Sequence, residues 1–480
     1  MTGVQRRTLI AAILGSSIAA IDGTIVNVAL PSIQSDLGGG LQAQQWISNA
    51  YTLTLGSLIL IGGSLGDIYG KRRIFEIGVA SFGILSLLCA IAPTAEMLIT
   101  ARALQGAAGA LMAPSSLAII VAAFSERERG KAIGSWTAWG GIAIIVGPLA
   151  GGTIVDQASW RWIFAINVPL VIVTLIFARG AAADAPVARR RIDFVGAALC
   201  VLGLSGIVFG LIEQPNYGWS SPLTISTVVG GALLFIAFVA YERRAAHPML
   251  QLDLFVRRNF AIGNVQTLSM YAGLSILFFF LFIFLQQVAG YSALKAGLTT
   301  IPSTLIMFAL SSRMGALADR FGARPFLAGG PLLAAAGILL FLRTGLETSY
   351  FADLLPALVV FSLGLTMTVA PLTATVLAGV DASDAGIASA INNAIARVAG
   401  LIGVAGIGAF VSGQLVGDTF APNSGSVQAF HQAIVICAAL VAAGGVLAFF
   451  GIRSPARVVE AEGCAGGHFA GAPRAAVAES

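Results

Sequence analysis

The chain has 480 residues, 57% hydrophobic and only 10% charged, with a mean hydropathy of +0.89. A soluble domain of this length is excluded, since roughly 25% charged residues would be usual, and an all-α integral membrane protein is expected. The net charge of +5 does not argue for nucleic acid, because the basic residues fall in short loops between apolar runs.

Apolar runs of about 17–25 residues, the length that crosses a bilayer, lie near 8–30, 46–66, 74–94, 97–121, 132–153, 162–178, 194–212, 223–241, 261–285, 296–314, 326–343, 352–376, 386–412 and 429–452. The first begins after Arg6 and Arg7 like a secretion signal, but it is too long and too studded with polar residues, and reads as an uncleaved span. Fourteen spans put both termini on one side. Of 27 Lys and Arg, 22 lie at the termini and in alternate loops, three lie opposite (Arg161, Lys295, Arg343) and two lie inside spans (Arg102, Arg397). That bias predicts cytoplasmic termini and a multi-pass protein of the cytoplasmic (inner) membrane. Trp46, Trp160, Trp162 and Trp219 are expected at the outer interface.

In span one, Asp22 is the only one of 22 acidic residues well inside a span. An aspartate near mid-bilayer costs about 2.5–3.5 kcal/mol, so its default reading is functional. After span two comes GSLGDIYGKRR, Gly63 to Arg73. It recurs as GALADRFGARP, Gly315 to Pro325, with Gly63, Asp67, Gly70 and Arg72 matching Gly315, Asp319, Gly322 and Arg324 at an offset of 252 residues. A fixed offset marks two related halves, a common plan for secondary transporters. The turn glycines allow left-handed backbone, and Asp67, Lys71, Arg72, Asp319 and Arg324 can pair or cap helix ends there. In span four, Arg102 lies in the outer half and can reach Asp22 if spans one and four adjoin. A cation lowers a carboxyl pKa while burial raises it, so a carboxylate whose cation comes and goes is a natural proton switch. Span five carries Gly147, Pro148, Gly151 and Gly152, which permit a kink and close packing. Span thirteen carries Asn392, Asn393 and Arg397, read as a buried polar cluster of the second half.

The expected organisation is an N-terminal six-helix bundle at 1–178, a linker with two extra helices at 179–260, a C-terminal six-helix bundle at 261–452 and a disordered cytoplasmic tail at 453–480. Having no repeat partner and no buried charge, the extra helices are expected to matter least. Enzyme chemistry finds no support. Neither Gly-Lys pair, at Lys71 or Lys131, continues as a phosphate loop, and His247, His431 and His468 are scattered in loops or tail. Cys89, Cys200, Cys437 and Cys464 lack metal-ligand spacing. No cofactor and no metal are expected.

These segments together resemble the major facilitator superfamily, and within it the fourteen-span drug–proton antiporters. The match rests on AIDGTIVNVALP (Ala20 to Pro31), the first loop cassette, LITARALQGAAGA with Arg102, Gln105 and Gly106, Gly147-Pro148 and Gly151-Gly152, WRWIFAINVP (Trp160 to Pro169) and GIASAINNAIARVAG (Gly386 to Gly400). It covers about residues 8–452. Two departures are Ala143, where the antiporter motif has glycine, and the degenerate second cassette; span ten also lacks the additional acid of dication exporters. The resemblance implies two six-helix bundles around a central cavity, with Asn27, Gln105, Asn392, Asn393 and Arg397 as cavity candidates. It further implies alternating access, with protons, one small-molecule substrate and the lipid bilayer as partners, no nucleic acid, and a monomer. Export of lipophilic drugs or toxic metabolites is the leading expectation. Export of one neutral or anionic natural product is the alternative, and a non-transporting membrane sensor is a third.

Overall fold

The computed structural model describes residues 1–181, 193–245, 248–378, 380, 385–416 and 418–453. Among them, fourteen helices are long and apolar enough to cross a membrane. In order they are Gly3–Leu37, Gly40–Tyr69, Lys71–Ala90, Ala95–Ala123, Glu128–Gln157, Trp162–Arg179, Phe194–Tyr217, Pro222–Glu242, Arg258–Val288, Ala293–Phe321, Ala323–Arg343, Tyr350–Ala378, Gly386–Gln414 and Ser424–Gly451, here spans one to fourteen. Every expected run is helical, and most helices outrun their apolar stretch because backbone hydrogen bonding continues into polar ends. Span three instead stops at Ala90, short of the expected 94, because Thr94 is the N-cap of span four, its hydroxyl accepting from Met97 N at 3.3 Å. The proposed tail lies outside the described residues apart from Arg453.

Spans one to six and nine to fourteen form two six-helix bundles. The cassette turns are alike: Gly70 follows span two with φ +100° and Gly322 follows span ten with φ +88°, conformations that favour glycine at both places. The repeat is therefore one of backbone shape as well as of letters.

The bundles meet on the side of the membrane opposite the termini and part on the terminal side. One apolar cluster joins Ile25, Leu30 and Ile33 of span one to Phe280, Phe284 and Leu285 of span nine, whereas the clusters nearer the termini each stay within one bundle. The polar contacts between bundles repeat this asymmetry. Span nine ends in a wide π-helical turn, Phe284–Val288, from which Gln286 donates to Val28 O at 2.9 Å and Gln287 to Gln34 Oε1 at 2.7 Å. Gln45 donates to Val404 O at 2.6 Å. Asp156, at the end of span five, accepts from Ala293 N and Leu294 N at 3.0 and 2.9 Å, capping the start of span ten. On the terminal side span ten is largely uncovered: within Ile301–Phe321 only Ser303 and Ala318 are buried.

Two expectations, that the extra helices hold no buried charge and that Trp160 is a ring at the outer interface, need correction. Span seven lies on the seam between the bundles, where Leu204, Val208 and Ile212 pack with Leu53 of span two and with Leu401 and Ala405 of span thirteen. Trp46 Nε1 donates to Glu213 Oε1 at 2.9 Å and strengthens that attachment. Nor do the extra helices lack a buried acid: Glu242, only 3% exposed, accepts from Leu250 N at 2.9 Å. Span seven thus covers one seam on both bundles at once, with span eight packed against it. Trp160 is also no interface ring, being 4% exposed and donating to Asp36 Oδ2 at 2.9 Å.

Replacing Asp156 with Ala removes the cap that holds span ten to span five. A cysteine placed at Asn27 in a cysteine-free background should then react several-fold faster with an impermeant maleimide added from the side opposite the termini. An unchanged rate would mean that the apolar cluster closes that side without Asp156.

Candidate functional site

Asp22 is fully buried inside the first bundle. Its Oδ2 accepts from Arg102 Nη1 at 2.5 Å, and its Oδ1 accepts from Gln105 Nε2 at 3.2 Å and Asn167 Nδ2 at 3.1 Å. Ser86 Oγ ties the two amides together, at 2.8 Å from Gln105 and 3.2 Å from Asn167. Arg102 also donates to Gln105 Oε1 at 2.7 Å and to Ile47 O at 3.3 Å, and its guanidinium lies 4.2 Å from the Tyr51 ring centre. A buried charge is tolerable when both partners fill their hydrogen-bonding capacity. The network draws spans one, two, three, four and six onto one point.

The other sequence candidates separate into different surroundings. Gln105, a cavity candidate, is fully buried in the carboxylate network rather than at the cavity surface. Arg397 is not the centre of a second polar cluster. That cluster is Asn392, whose amide donates to Asn264 Oδ1 at 3.1 Å and Thr267 Oγ1 at 2.8 Å. Arg397 instead lies against span two, where a β-carbon on Gly56 would sit 3.4 Å from its own. Asn393 is exposed and donates to Ser389 O at 3.0 Å on its own helix, and Asn27 is half-buried. Gly23, next to Asp22, is exposed, and a β-carbon on it would meet no atom within 4 Å. Span one thus turns Asp22 into its bundle and its other face to open space.

The span-five glycines connect this helix to the other bundle. A side chain at Gly147 would strike Thr24, and one at Gly151 would strike Ile25. One at Gly152 would strike Leu294 and Ala293 of span ten, while Pro148 O occupies the space beside Gly297. The stretch 147–152 is therefore pressed between the helix that carries Asp22 and the far-side closure.

In the first cassette Lys71 Nζ lies 3.8 Å from Asp67 Oδ1. Arg72 donates to Glu76 Oε1 at 2.8 Å and to the carbonyls of Arg179 and Ala181 at 2.7 and 3.2 Å. In the second, Arg324 Nε donates to Phe449 O at 2.6 Å. Each arginine thus holds the C-terminal end of its own bundle's last helix, where carbonyls lack helical partners. His431 is in span fourteen rather than in a loop, with a ring nitrogen 2.9 Å from Thr344 O; His247 and His468 lie outside the described residues. No group of three or more His, Cys, Asp or Glu among the described residues could hold a metal.

The family model described as Major Facilitator Superfamily matches residues 12–404. The chain belongs to the major facilitator superfamily. Among its superfamily relatives, the puromycin resistance protein of Streptomyces alboniger is 34% identical over 473 residues, covering 95% of this chain and 93% of that protein. A probable actinorhodin transporter of Streptomyces coelicolor is 35% identical over 428 residues, covering 86% and 73%. A crystal structure of a D-xylose–proton symporter, 16% identical, has the same fold with a TM-score of 0.65, covering 94% and 99%.

Sequence reasoning passed over Asn167, Ser86 and Tyr51. Asn167 stood inside the quoted WRWIFAINVP segment, and that position was the one available signal. Removing Arg102 leaves a buried carboxylate without its opposite charge, so Arg102→Ala should lose roughly 3–5 kcal/mol of stability. Adding Asp22→Asn to Arg102→Ala should recover much of it, read as the thermal midpoint of the detergent-purified protein. No recovery in the double variant would show that the arginine stabilises through Tyr51 and Ile47 instead.

Proposed function

We propose that this chain is a proton-coupled exporter of drugs or antibiotic-like metabolites, with both termini in the cytoplasm. The observation that carries the reading is the carboxylate of Asp22, alone deep in the membrane and held by one arginine and two amides. Family membership and relatives named for puromycin resistance and actinorhodin transport support the substrate class. The lysine and arginine bias supports the orientation, and on that reading the structure is open to the cytoplasm and closed outside.

Protonating Asp22 cancels the charge that Arg102 answers and loosens spans one and four. Span one bears on the span-five glycines, and span five bears on span ten, so the change reaches the outer closure through packed helices. A proton entering from outside and leaving inside would drive one substrate outward. The membrane potential contributes about 2.3 kcal/mol per charge per 100 mV. The second reading, a dedicated exporter of one neutral or anionic compound, is favoured by Arg397, a membrane cation outside every ion pair among the described residues. Accumulation assays over a drug panel distinguish a broad exporter from a dedicated one.

In proteoliposomes with an imposed pH gradient, Asp22→Asn should reduce puromycin transport to the level of protein-free vesicles while the protein still inserts. Transport that survives the substitution would remove Asp22 from the coupling role. The cassette at Asp67 lies outside the cavity, so Asp67→Asn should slow turnover several-fold with little change in half-saturation. A collapse of affinity in that variant would move the cassette into the binding site.

A further inference from the structure

Two arginines sit inside the membrane, and they are treated differently. Arg102 is paired with Asp22 and also donates to Gln105 and the Ile47 carbonyl. Arg397 lies about 18 Å along its helix from Ala385, at 1.5 Å per residue, and its Nε is buried without a hydrogen-bond partner. None of the four ion pairs among the described residues includes it, and the sequence from Ile387 to Ile407 contains no acid. A guanidinium left unanswered in the membrane is costly, and its planar fork matches a carboxylate.

The surroundings of Arg397 point the same way. Tyr51, on span two, is only 3% exposed, yet its hydroxyl has no partner. Tyr51 and Tyr271 both lie within electrostatic range of Arg397. Gly56, facing Arg397 across the seam, keeps the space beside it free of a side chain. The result is one fixed positive charge at the meeting of the two bundles, with two tyrosines within electrostatic range of it. The Asp22–Arg102 pair, by contrast, is neutral as a unit.

We propose that Arg397, with the hydroxyls of Tyr51 and Tyr271, is an anion-binding subsite, and that the preferred substrates are lipophilic molecules bearing a carboxylate or comparably acidic group. This rests on the reading of the chain as an exporter only for the word substrate; the subsite itself is a property of the resting protein. A carboxylate seated there would accept from the guanidinium and from a phenol O–H, filling the donors that the chain leaves open. Charged hydrogen bonds of this kind discriminate by about tenfold or more over a neutral analogue.

The test is equilibrium binding, which needs no proton gradient and so stands apart from the transport assay. Dansyl-leucine and its uncharged amide are titrated by fluorescence anisotropy into purified protein in lipid nanodiscs, with protein-free discs subtracted. The wild-type protein should bind the carboxylate about tenfold more tightly than the amide. Arg397→Gln should bring the ratio near one, and Arg397→Lys, which keeps the charge, should restore part of it. Tyr51→Phe, which removes only the hydroxyl, should lower the ratio several-fold and serves if Arg397→Gln does not fold. A wild-type ratio near one, or a ratio that survives Arg397→Gln or Tyr51→Phe, would overturn the subsite.

Discussion

An ion pair of 2.5 Å between Asp22 and Arg102, closed off from water, is the contact around which the first bundle is arranged. In a low-dielectric interior neither partner is tolerable alone, and the pair is tolerable only with its remaining donors and acceptors filled. That requirement explains why Gln105, Asn167, Ser86 and a backbone carbonyl of span two converge there. The proposed proton coupling uses this dependence, since a proton on the carboxyl would remove the reason for the other contacts.

In the proposed mechanism the glycine-rich face of span five is the lever. Because Gly147 and Gly151 have no side chains, span one can lie against span five at the turn next to Asp22, and Gly152 lies against span ten of the other bundle. Densely packed helices transmit displacement rather than absorbing it. The extra helices break the two-fold plan, since span seven covers the seam between spans two and thirteen. Any rearrangement of the bundles, as the proposed mechanism requires, would have to carry span seven along or slide past it.

Much of this was legible in the sequence, and what was not has physical reasons. Fourteen spans follow from apolar length, because the bilayer leaves a helix few alternatives. Asp22 and Arg102 stand out because charge inside a span is rare, and their pairing required only that two helices adjoin. Asn167 and Ser86 carry no such mark, since a neutral polar residue in a span is common and its partner lies on another helix. Gln105 was recognisable as a motif residue but not as a ligand of the carboxylate, because which face of span four looks inward is decided by packing. The seam position of span seven had no repeat partner to reveal it. The side on which the bundles close is a property of the conformational state, which no residue pattern encodes.

The proposed export mechanism requires Asp22 to take up and release a proton. Infrared difference spectroscopy of the purified protein, stepped from neutral to acid pH, observes that carboxyl directly. The account predicts a carbonyl stretch of a protonated carboxylic acid that grows with acid and is missing from Asp22→Asn. A spectrum in which the wild type and Asp22→Asn show the same bands throughout would contradict it.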